Sequence, residues 1–275
     1  MVARPAVPSG PPSKLPVAPI RPPSLWKITI ENLSLRYSDG RESLRDINLF
    51  IPANAITVLF GPAGGGKSTL LRTINRLNDL TDVKELTGRI WLDDMNILLP
   101  DVDVISLRRR VGIVFARPVV LPMTIRQNVT YALDLAGVRS KSQLEEAVER
   151  SLKASALWEE VRDRLDDPAI SLSGGQQQRL CLARVLALEP EVILLDEPTS
   201  GLDPISTEKV ESSLNALKER YTIVLVPHSV QQAARTADHA AFFLDGQLIE
   251  FSPGREIFIH PKEARTEDYI EGRFG

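Results

Sequence analysis

One eight-residue segment constrains this chain more than any other. Gly61-Pro62-Ala63-Gly64-Gly65-Gly66-Lys67-Ser68 fits the pattern G-x-x-x-x-G-K-[ST]. The apolar run 55–60 before it predicts a buried strand, and residues 68–77 after it have helical spacing without Gly or Pro. A strand, a glycine-rich turn and a helix in this order direct backbone N–H groups and a helix N-terminus at one anion.

The chemistry of that loop predicts nucleoside triphosphate binding. Lys67 is expected to reach the β- and γ-phosphates and Ser68 to ligate Mg²⁺, with Thr69 as the next contact on the helix. The alternative is a glycine-rich turn with a helix-capping serine. Four glycines together with Lys-Ser in the correct phase favour the phosphate-binding interpretation.

Composition excludes several other classes of protein. The 275 residues carry a net charge of -3, and 25% of them are charged. The chain therefore lacks the large positive potential that favours nucleic-acid binding. The single Cys181 excludes an intramolecular disulfide and fits a reducing compartment. No apolar run approaches the ~20 residues that span a bilayer. We therefore expect a cytosolic chain, which can still dock on a membrane protein.

The chain divides into a short extension and one large domain. Residues 1–25 hold eight of the 20 prolines and predict a disordered extension outside the fold. From residue 26 to residue 275 we expect one domain. Apolar residues alternate with polar ones in residues 26–51, as in the strands of an antiparallel sheet.

Helical spacing in the middle of the chain predicts an inserted helical lobe, residues 116–188. Ser142-Gln143-Leu144-Glu145 has the pattern of a capping box at the start of one of its helices. Beyond the lobe, apolar strands alternate with helices, a pattern typical of a parallel sheet covered on both faces. The predicted fold class is α/β, with a mostly parallel sheet, an N-terminal antiparallel subdomain and the helical insert.

The apolar run Val192-Ile193-Leu194-Leu195 ends in two acids, Asp196 and Glu197. A buried parallel strand places such carboxylates at the carboxyl edge of the sheet, where ligands of α/β proteins bind. We expect Asp196 to belong to the Mg²⁺ shell and Glu197 to polarise the attacking water. A plain acidic turn before Pro198 is the alternative, which the phosphate loop disfavours.

The signature segment, Leu172-Ser173-Gly174-Gly175-Gln176, is weak evidence by itself. Ser173 has the chemistry of an N-cap for the following helix, and an ordinary capped helix is the simpler interpretation. Two glycines at a helix start also allow a large anion to approach, with Ser173 and free N–H groups as donors. The position of the segment, 20 residues before Asp196 and after a helical insert, favours a role toward nucleotide.

Together these motifs make residues 26–275 resemble the ATPases of ATP-binding cassette (ABC) transporters, and the fold they imply is a P-loop NTPase core. The resemblance implies a head-to-tail dimer, in which Ser173 to Gln176 of one copy close over ATP on the phosphate loop of the other. It also implies that Tyr37 stacks on adenine, that His228 contacts the γ-phosphate, and that the interface loop, residues 200–203 with Asp203, crosses between the copies.

Each implied role has a competing explanation. Tyr37 is equally able to end an edge strand. Asp203 before Pro204 is also a good N-cap for the following helix. His228 follows a buried strand, a position that favours function, whereas His239 and His260 are expected at the surface.

One expected residue is absent from the pattern. The family places a glutamine that senses Mg²⁺ after the strand 111–115, and Ala116 occupies that position here. Gln127 belongs to the next predicted helix and is not expected to substitute. We predict that hydrolysis persists with impaired or altered coupling, because the other catalytic and metal-binding residues are present: Lys67, Ser68, Asp196, Glu197 and His228.

Several stretches are similar to the ATP-binding subunits of bacterial phosphate importers, and the C-terminal residues 265–275 match most closely. This similarity implies ATP hydrolysis coupled to phosphate import at the cytoplasmic face of the cell membrane. The implied partners are a second copy, integral membrane permease subunits and an external phosphate-binding protein. A soluble ABC ATPase of another process and a weakly hydrolysing regulatory module are the alternatives.

Overall fold

The structure, a computed structural model, describes residues 26–273. The predicted proline-rich extension, residues 1–25, lies outside the described residues. Among the described helices none is long and apolar enough to cross a bilayer. The strands are β1 (Trp26–Tyr37), β2 (Glu42–Pro52), β3 (Ile56–Phe60), β4 (Val83–Leu92), β5 (Met95–Asn96), β6 (Val111–Val114), β7 (Val192–Asp196), β8 (Thr222–Val226), β9 (His239–Leu244) and β10 (Gln247–Pro253).

The α-helices fill the intervals between these strands. They are α1 (Lys67–Ile74), α2 (Val104–Arg110), α3 (Ile125–Leu135), α4 (Lys141–Ala154), α5 (Trp158–Val161), α6 (Gly174–Leu186), α7 (Pro204–Leu217), α8 (Val230–Thr236), α9 (Gly254–Ile259) and α10 (Ala264–Ile270). The described elements therefore combine an α/β core with a consecutive run of four helices, α3 to α6.

The larger sheet has the strand order β10-β9-β3-β8-β7-β6. All neighbours are parallel except β10 and β9. Every residue of β3, β7 and β8 is buried, and along β3 Leu59 joins one hydrophobic cluster while Val58 and Phe60 join another. Since these strands are parallel, the loops after β3, β7 and β8 all emerge at one edge of the sheet.

The smaller, antiparallel sheet has the order β2-β1-β4-β5 and packs against α1. Its inner face supplies Ile28, Ile30 and Leu44, which share one cluster with Leu70 and Leu71 of that helix. Strand β1 lies between β2 and β4, and Tyr37 itself pairs with Val83 of β4. Tyr37 therefore ends its strand, as the alternative holds, but that strand is not at the edge of the sheet.

The helical lobe has a hydrophobic cluster of its own. Its buried members run from Ile125 of α3 to Ala187, after α6, within the predicted insert 116–188. Helix α6 serves both parts, because Leu180 and Ala183 face the lobe while Cys181 and Leu182 face the cluster on the large sheet. The burial of Cys181 raises the pKa of its thiol.

Two local predictions are wrong. Helix α4 begins at Lys141, with Ser140 rather than Ser142 accepting the capping bond from the Gln143 N–H. The earlier start adds half a turn without changing the face that Ala147 and Val148 bury. His260 is exposed as expected, but His239 begins β9 and stacks on Phe251, with Nδ1 buried.

Candidate functional site

The phosphate loop follows β3 and ends at α1, and its glycines are required by space as well as by backbone angles. Gly61 has φ +136°, and a Cβ there would lie 2.0 Å from the carbonyl oxygen of Phe243. Gly66, which precedes α1, has φ +97°, and a Cβ there would lie 2.5 Å from the carbonyl oxygen of Ser43. Side chains are thus excluded where the backbone curls toward β9 and β2.

Lys67 lies over the loop it follows. Its Nζ donates hydrogen bonds to the carbonyl oxygens of Gly61 and Pro62, both at 2.7 Å. Burial lowers the pKa of Lys67, while the carboxylates of Glu197 and Asp196 act in the opposite direction. The ammonium is therefore a partly desolvated cation held at the mouth of the loop.

Ser68 and Asp196 meet where the loop and β7 converge. The Ser68 Oγ donates to Asp196 Oδ1 at 2.8 Å, and Asp196 is buried at the end of its strand. A hydroxyl and a carboxylate form a donor set that suits Mg²⁺, which takes few protein ligands beside phosphate oxygens and water. No cluster of three or more His, Cys, Asp or Glu side chains in residues 26–273 is arranged for a metal.

Glu197 has an unusual backbone. Its φ is +49°, in the left-handed region, and its N–H donates to the carbonyl oxygen of Val226 at 2.9 Å. The left-handed conformation costs an ordinary L-residue about 1–2 kcal/mol. This turn follows directly after Asp196, the last residue of β7. The Asp196 side chain bonds Ser68, whereas the Glu197 backbone bonds β8.

A cavity of about 180 Å³ brings three of the predicted residues together: Lys67, Glu197 and His228 all line it. Gly61 and Ala63 of the loop form another part of its wall. A cation, a carboxylate and an imidazole around one small space suit the terminal phosphate of a nucleotide and an attacking water.

Two residues of this region were missed from the sequence. Tyr269 of α10 lines the same cavity, and its ring packs against Phe60 and Phe242. Gln232 is buried and accepts the His228 N–H at 2.8 Å, while it also bonds Thr199. Tyr269 lies far along the chain from the phosphate loop, and no pattern in the sequence pointed to its contact with the cavity. Gln232 lies only four residues after His228, and the available signal was the Ser229-x-x-Gln232 spacing of a helix start.

Tyr37 lies near the other side of α1. Its hydroxyl is 3.5 Å from Thr69 Oγ1 and 3.5 Å from Asn78 Oδ1, and Ser43 Oγ lies 2.8 Å from the same Thr69 oxygen. The guanidinium of Arg41 lies over the ring at 4.9 Å. The hydroxyl contacts of Tyr37 bring the end of β1 close to the first turn of α1.

Ser173 is exposed at the start of α6, and its side chain is used as a cap. Ser173 Oγ accepts the Gln176 N–H at 3.3 Å, and Gln176 Oε1 accepts the Ser173 N–H at 3.0 Å. Ser173, Gly174, Gly175 and Gln176 are all absent from the wall of the 180 Å³ cavity. The signature segment and the phosphate loop therefore do not form one pocket within a single chain.

Asp203 is also exposed and caps α7. Its Oδ1 accepts the Ser206 N–H at 3.0 Å, and hydrogen bonds from the Ser206 side chain and backbone lower the pKa of Asp203. The interface loop before it contains Gly201 with φ +73°. The predicted N-cap is thus present, and the crossing of this loop between copies stays a prediction.

Ala116 follows β6, and its methyl group offers no ligand. The neighbouring Phe115 carbonyl accepts a hydrogen bond from Gln178 Nε2 of α6 at 2.9 Å. Gln127 is engaged elsewhere, since its Oε1 accepts the Thr124 N–H in a capping box at the start of α3. The amide of Gln127 is thus committed to its own helix start.

Comparison with known proteins places this geometry in a family. A profile described as ABC transporter matches residues 44–200. The phosphate import ATP-binding protein PstB 1 of Vibrio parahaemolyticus is 54% identical over 248 residues, which cover 90% of this chain and 91% of that protein. PstB 2 of Bacillus licheniformis is 52% identical over 248 residues, covering 90% of each protein.

Solved structures agree with this result. CbiO1 of Clostridium perfringens, part of the ABC transporter complex cbiONQ, has a TM-score of 0.76 at 27% identity, covering 91% of this chain and 97% of that one. The dimeric cassette MJ0796 with ADP and Pi has a TM-score of 0.72 at 29% identity, covering 83% and 99%. This chain belongs to the ABC transporter family, as one of its ATPase subunits.

Proposed function

We propose that this chain hydrolyses ATP to drive the import of inorganic phosphate. The observation that carries the proposal is identity of more than half the residues with phosphate import ATP-binding proteins, over 90% of the chain. The assembled loop, acids and histidine support it, because they supply the groups that phosphoryl transfer requires. The phosphate that is transported is not expected to touch this subunit.

Each residue of the site has a proposed role. Lys67 and the N–H groups of the loop hold the β- and γ-phosphates, and Glu197 accepts a proton from the attacking water. His228, held through its backbone by Gln232, contacts the γ-phosphate. Adenine stacks on the ring of Tyr37. Ser68 and Asp196 would hold Mg²⁺, which neutralises charge between the phosphates.

The proposed working unit is a pair of chains. Ser173 is exposed and lies outside the cavity of its own chain, so a second copy is the expected source of the donor that completes the site. Closure over ATP draws the helical lobes together, and hydrolysis lets them part. We further propose peripheral attachment to permease subunits at the cytoplasmic face, with a phosphate-binding protein outside.

Uptake of labelled phosphate in cells that lack this chain tests the transport proposal. Loss of uptake, its return with the wild-type chain, and no return with Glu197→Gln are the expected results. Unchanged uptake in the deleted cells would contradict the phosphate assignment. A matched control measures uptake of sulfate, which is expected to stay constant.

The sandwich is tested with the same substitution in purified protein. Glu197→Gln keeps the shape of the side chain but removes the base, so turnover falls by about 10²–10⁴-fold. ATP binding is retained, and the dimer accumulates in light scattering. A particle with the mass of one chain under saturating ATP would oppose the paired arrangement.

Ala116 favours one second candidate, a regulatory module that binds ATP with little turnover. An alanine cannot help to organise Mg²⁺ and water, although the other groups are present. Steady-state phosphate release separates the two functions. Sustained release by the wild-type chain excludes the regulatory candidate.

A further inference from the structure

One carboxylate outside the predicted site joins three helices. Glu160 of α5 accepts two hydrogen bonds from Arg179 of α6, at 2.7 and 3.1 Å. It accepts a third from Gln176 Nε2 at 2.9 Å and a fourth from Lys209 Nζ of α7 at 2.6 Å. This Glu160 junction saturates the carboxylate, and Arg179 is only 3% exposed in its side chain.

The junction continues into the signature segment. Gln176, which donates to Glu160 from its amide nitrogen, uses its amide oxygen to accept the Ser173 N–H. Its own backbone N–H in turn donates to the Ser173 hydroxyl. The orientation of the Gln176 amide, and with it the cap at Ser173, therefore depends on the position of the Glu160 carboxylate.

The same carboxylate reaches the helix that begins at the interface loop. Lys209 belongs to α7, which Asp203 caps. Helices α6 and α7 also contact each other directly, since a Cβ at Gly175 would lie 2.5 Å from Ser206 Oγ. The start of α6 and the first turns of α7 are thus joined by a close contact between the Gly175 backbone and the Ser206 side chain, and by the ion pairs that Lys209 and Arg179 both make with Glu160.

We propose that Glu160 is a positioning residue, which holds Ser173 and the interface loop as one unit for contact with the second copy. The inference depends on the proposed ATP sandwich and adds to it a residue in none of the motifs. Arg179 holds the pKa of Glu160 down to about 2, so the carboxylate stays ionised throughout the neutral range. Since both surfaces of the unit face the partner, a disturbed junction is expected to weaken dimer closure and to spare nucleotide binding by one chain.

Light scattering in the Glu197→Gln background provides the test, with ATP saturating and protein concentration varied. Glu160→Gln is expected to raise the concentration for half-dimerisation by about tenfold, because coupled charged hydrogen bonds are lost. Lys209→Met removes only the contact between α7 and Glu160, and it is expected to raise the concentration for half-dimerisation by about threefold. Glu145→Gln, which breaks an exposed ion pair of the same lobe with Arg126, is the matched control and should change nothing.

A second readout separates positioning from simple support of the fold. Binding of a fluorescent ATP analogue to dilute, monomeric protein is expected to be unchanged in all three variants. Normal dimerisation by both Glu160→Gln and Lys209→Met would overturn the inference. If Glu160→Gln does not fold, the surface variant Lys209→Met decides alone. A parent protein that stays monomeric would overturn the sandwich, and this inference with it.

Discussion

The two ends of the proposed ATP contact differ in how complete they are within one chain. At the phosphate loop, Lys67, Glu197 and His228 share one cavity, and Ser68 is bonded to Asp196. At the signature segment, Ser173 is exposed, and its hydroxyl and N–H are both used in its own capping box. The first region brings its groups together around one cavity, whereas the second lies outside the wall of that cavity.

The difference lies in what holds each region in shape. The phosphate loop is held by the large sheet, because the parallel strands β3, β7 and β8 all end at the same edge of it. The signature segment is fixed by one helix N-terminus and the Glu160 junction. We therefore expect a single chain to bind nucleotide through the first region and turnover to require the second region of another copy.

Lys67→Ala is expected to have the largest effect, because it removes a cation from the more complete region. Turnover should fall by about 10³-fold, as for the loss of a preorganised electrostatic group. ATP binding by the monomer should weaken as well, which equilibrium binding of a fluorescent analogue measures. Intact binding and turnover would show that nucleotide is held elsewhere.

Ser173→Ala probes the other region. Turnover is expected to fall by about 10²-fold, because the donor from the second copy is lost. Monomeric ATP binding should be unchanged, in contrast to Lys67→Ala. The lost cap costs about 1 kcal/mol of folding free energy, measured by urea unfolding. Equal loss of binding in both variants would erase the distinction between the regions.

Ala116→Gln restores the side chain that the family pattern carries beside the phosphate loop. We expect ATPase activity to rise by about threefold, far less than the 10²–10⁴-fold effect of a full general base. Measurements of phosphate release over a range of Mg²⁺ concentrations provide the check. An unchanged rate with unchanged Mg²⁺ dependence would contradict a role for this position.

The smallest expected effect concerns acid stability. Hydrogen bonds from Arg179 lower the pKa of Glu160 to about 2, and those from Arg110 lower the pKa of Glu191 to about 2, against an ordinary 4.5. Depressed values mean that the folded state favours the ionised carboxylates. Their contribution is complete above about pH 4.5 and is lost as the pH falls toward about 2.

Urea midpoints between pH 7 and pH 3 measure this contribution. Glu160→Gln and Glu191→Gln should each lower the midpoint at pH 7 and flatten its dependence on pH. The change is modest because both side chains are partly exposed, 27% and 38%. A variant that keeps the full pH dependence would exclude that carboxylate as a source.

Much of the fold was predictable because its signals are local. Glycine and lysine spacing defined the phosphate loop, and apolar runs defined β3, β7 and β8. Contacts between distant segments had no such signal. Nothing in the sequence placed Gln232 against Thr199 or Tyr269 beside the cavity, and Glu160 belongs to no motif. Helix N-cap patterns can also occur twice in a short stretch. Ser140 and Ser142 both stand three residues before a Gln or Glu, and the structure uses Ser140 at the beginning of α4.

The left-handed backbone of Glu197 has a consequence for protein engineering, because selection for stability alone favours replacement of this residue. Glycine adopts this geometry freely and asparagine does so more readily than glutamate, so either replacement relieves local strain. Screens that reward heat resistance alone would therefore enrich chains altered at this position. The selected variants would lack the Glu197 carboxylate. They would still bind ATP, but the transporter would stop at the ATP-bound step because hydrolysis is lost.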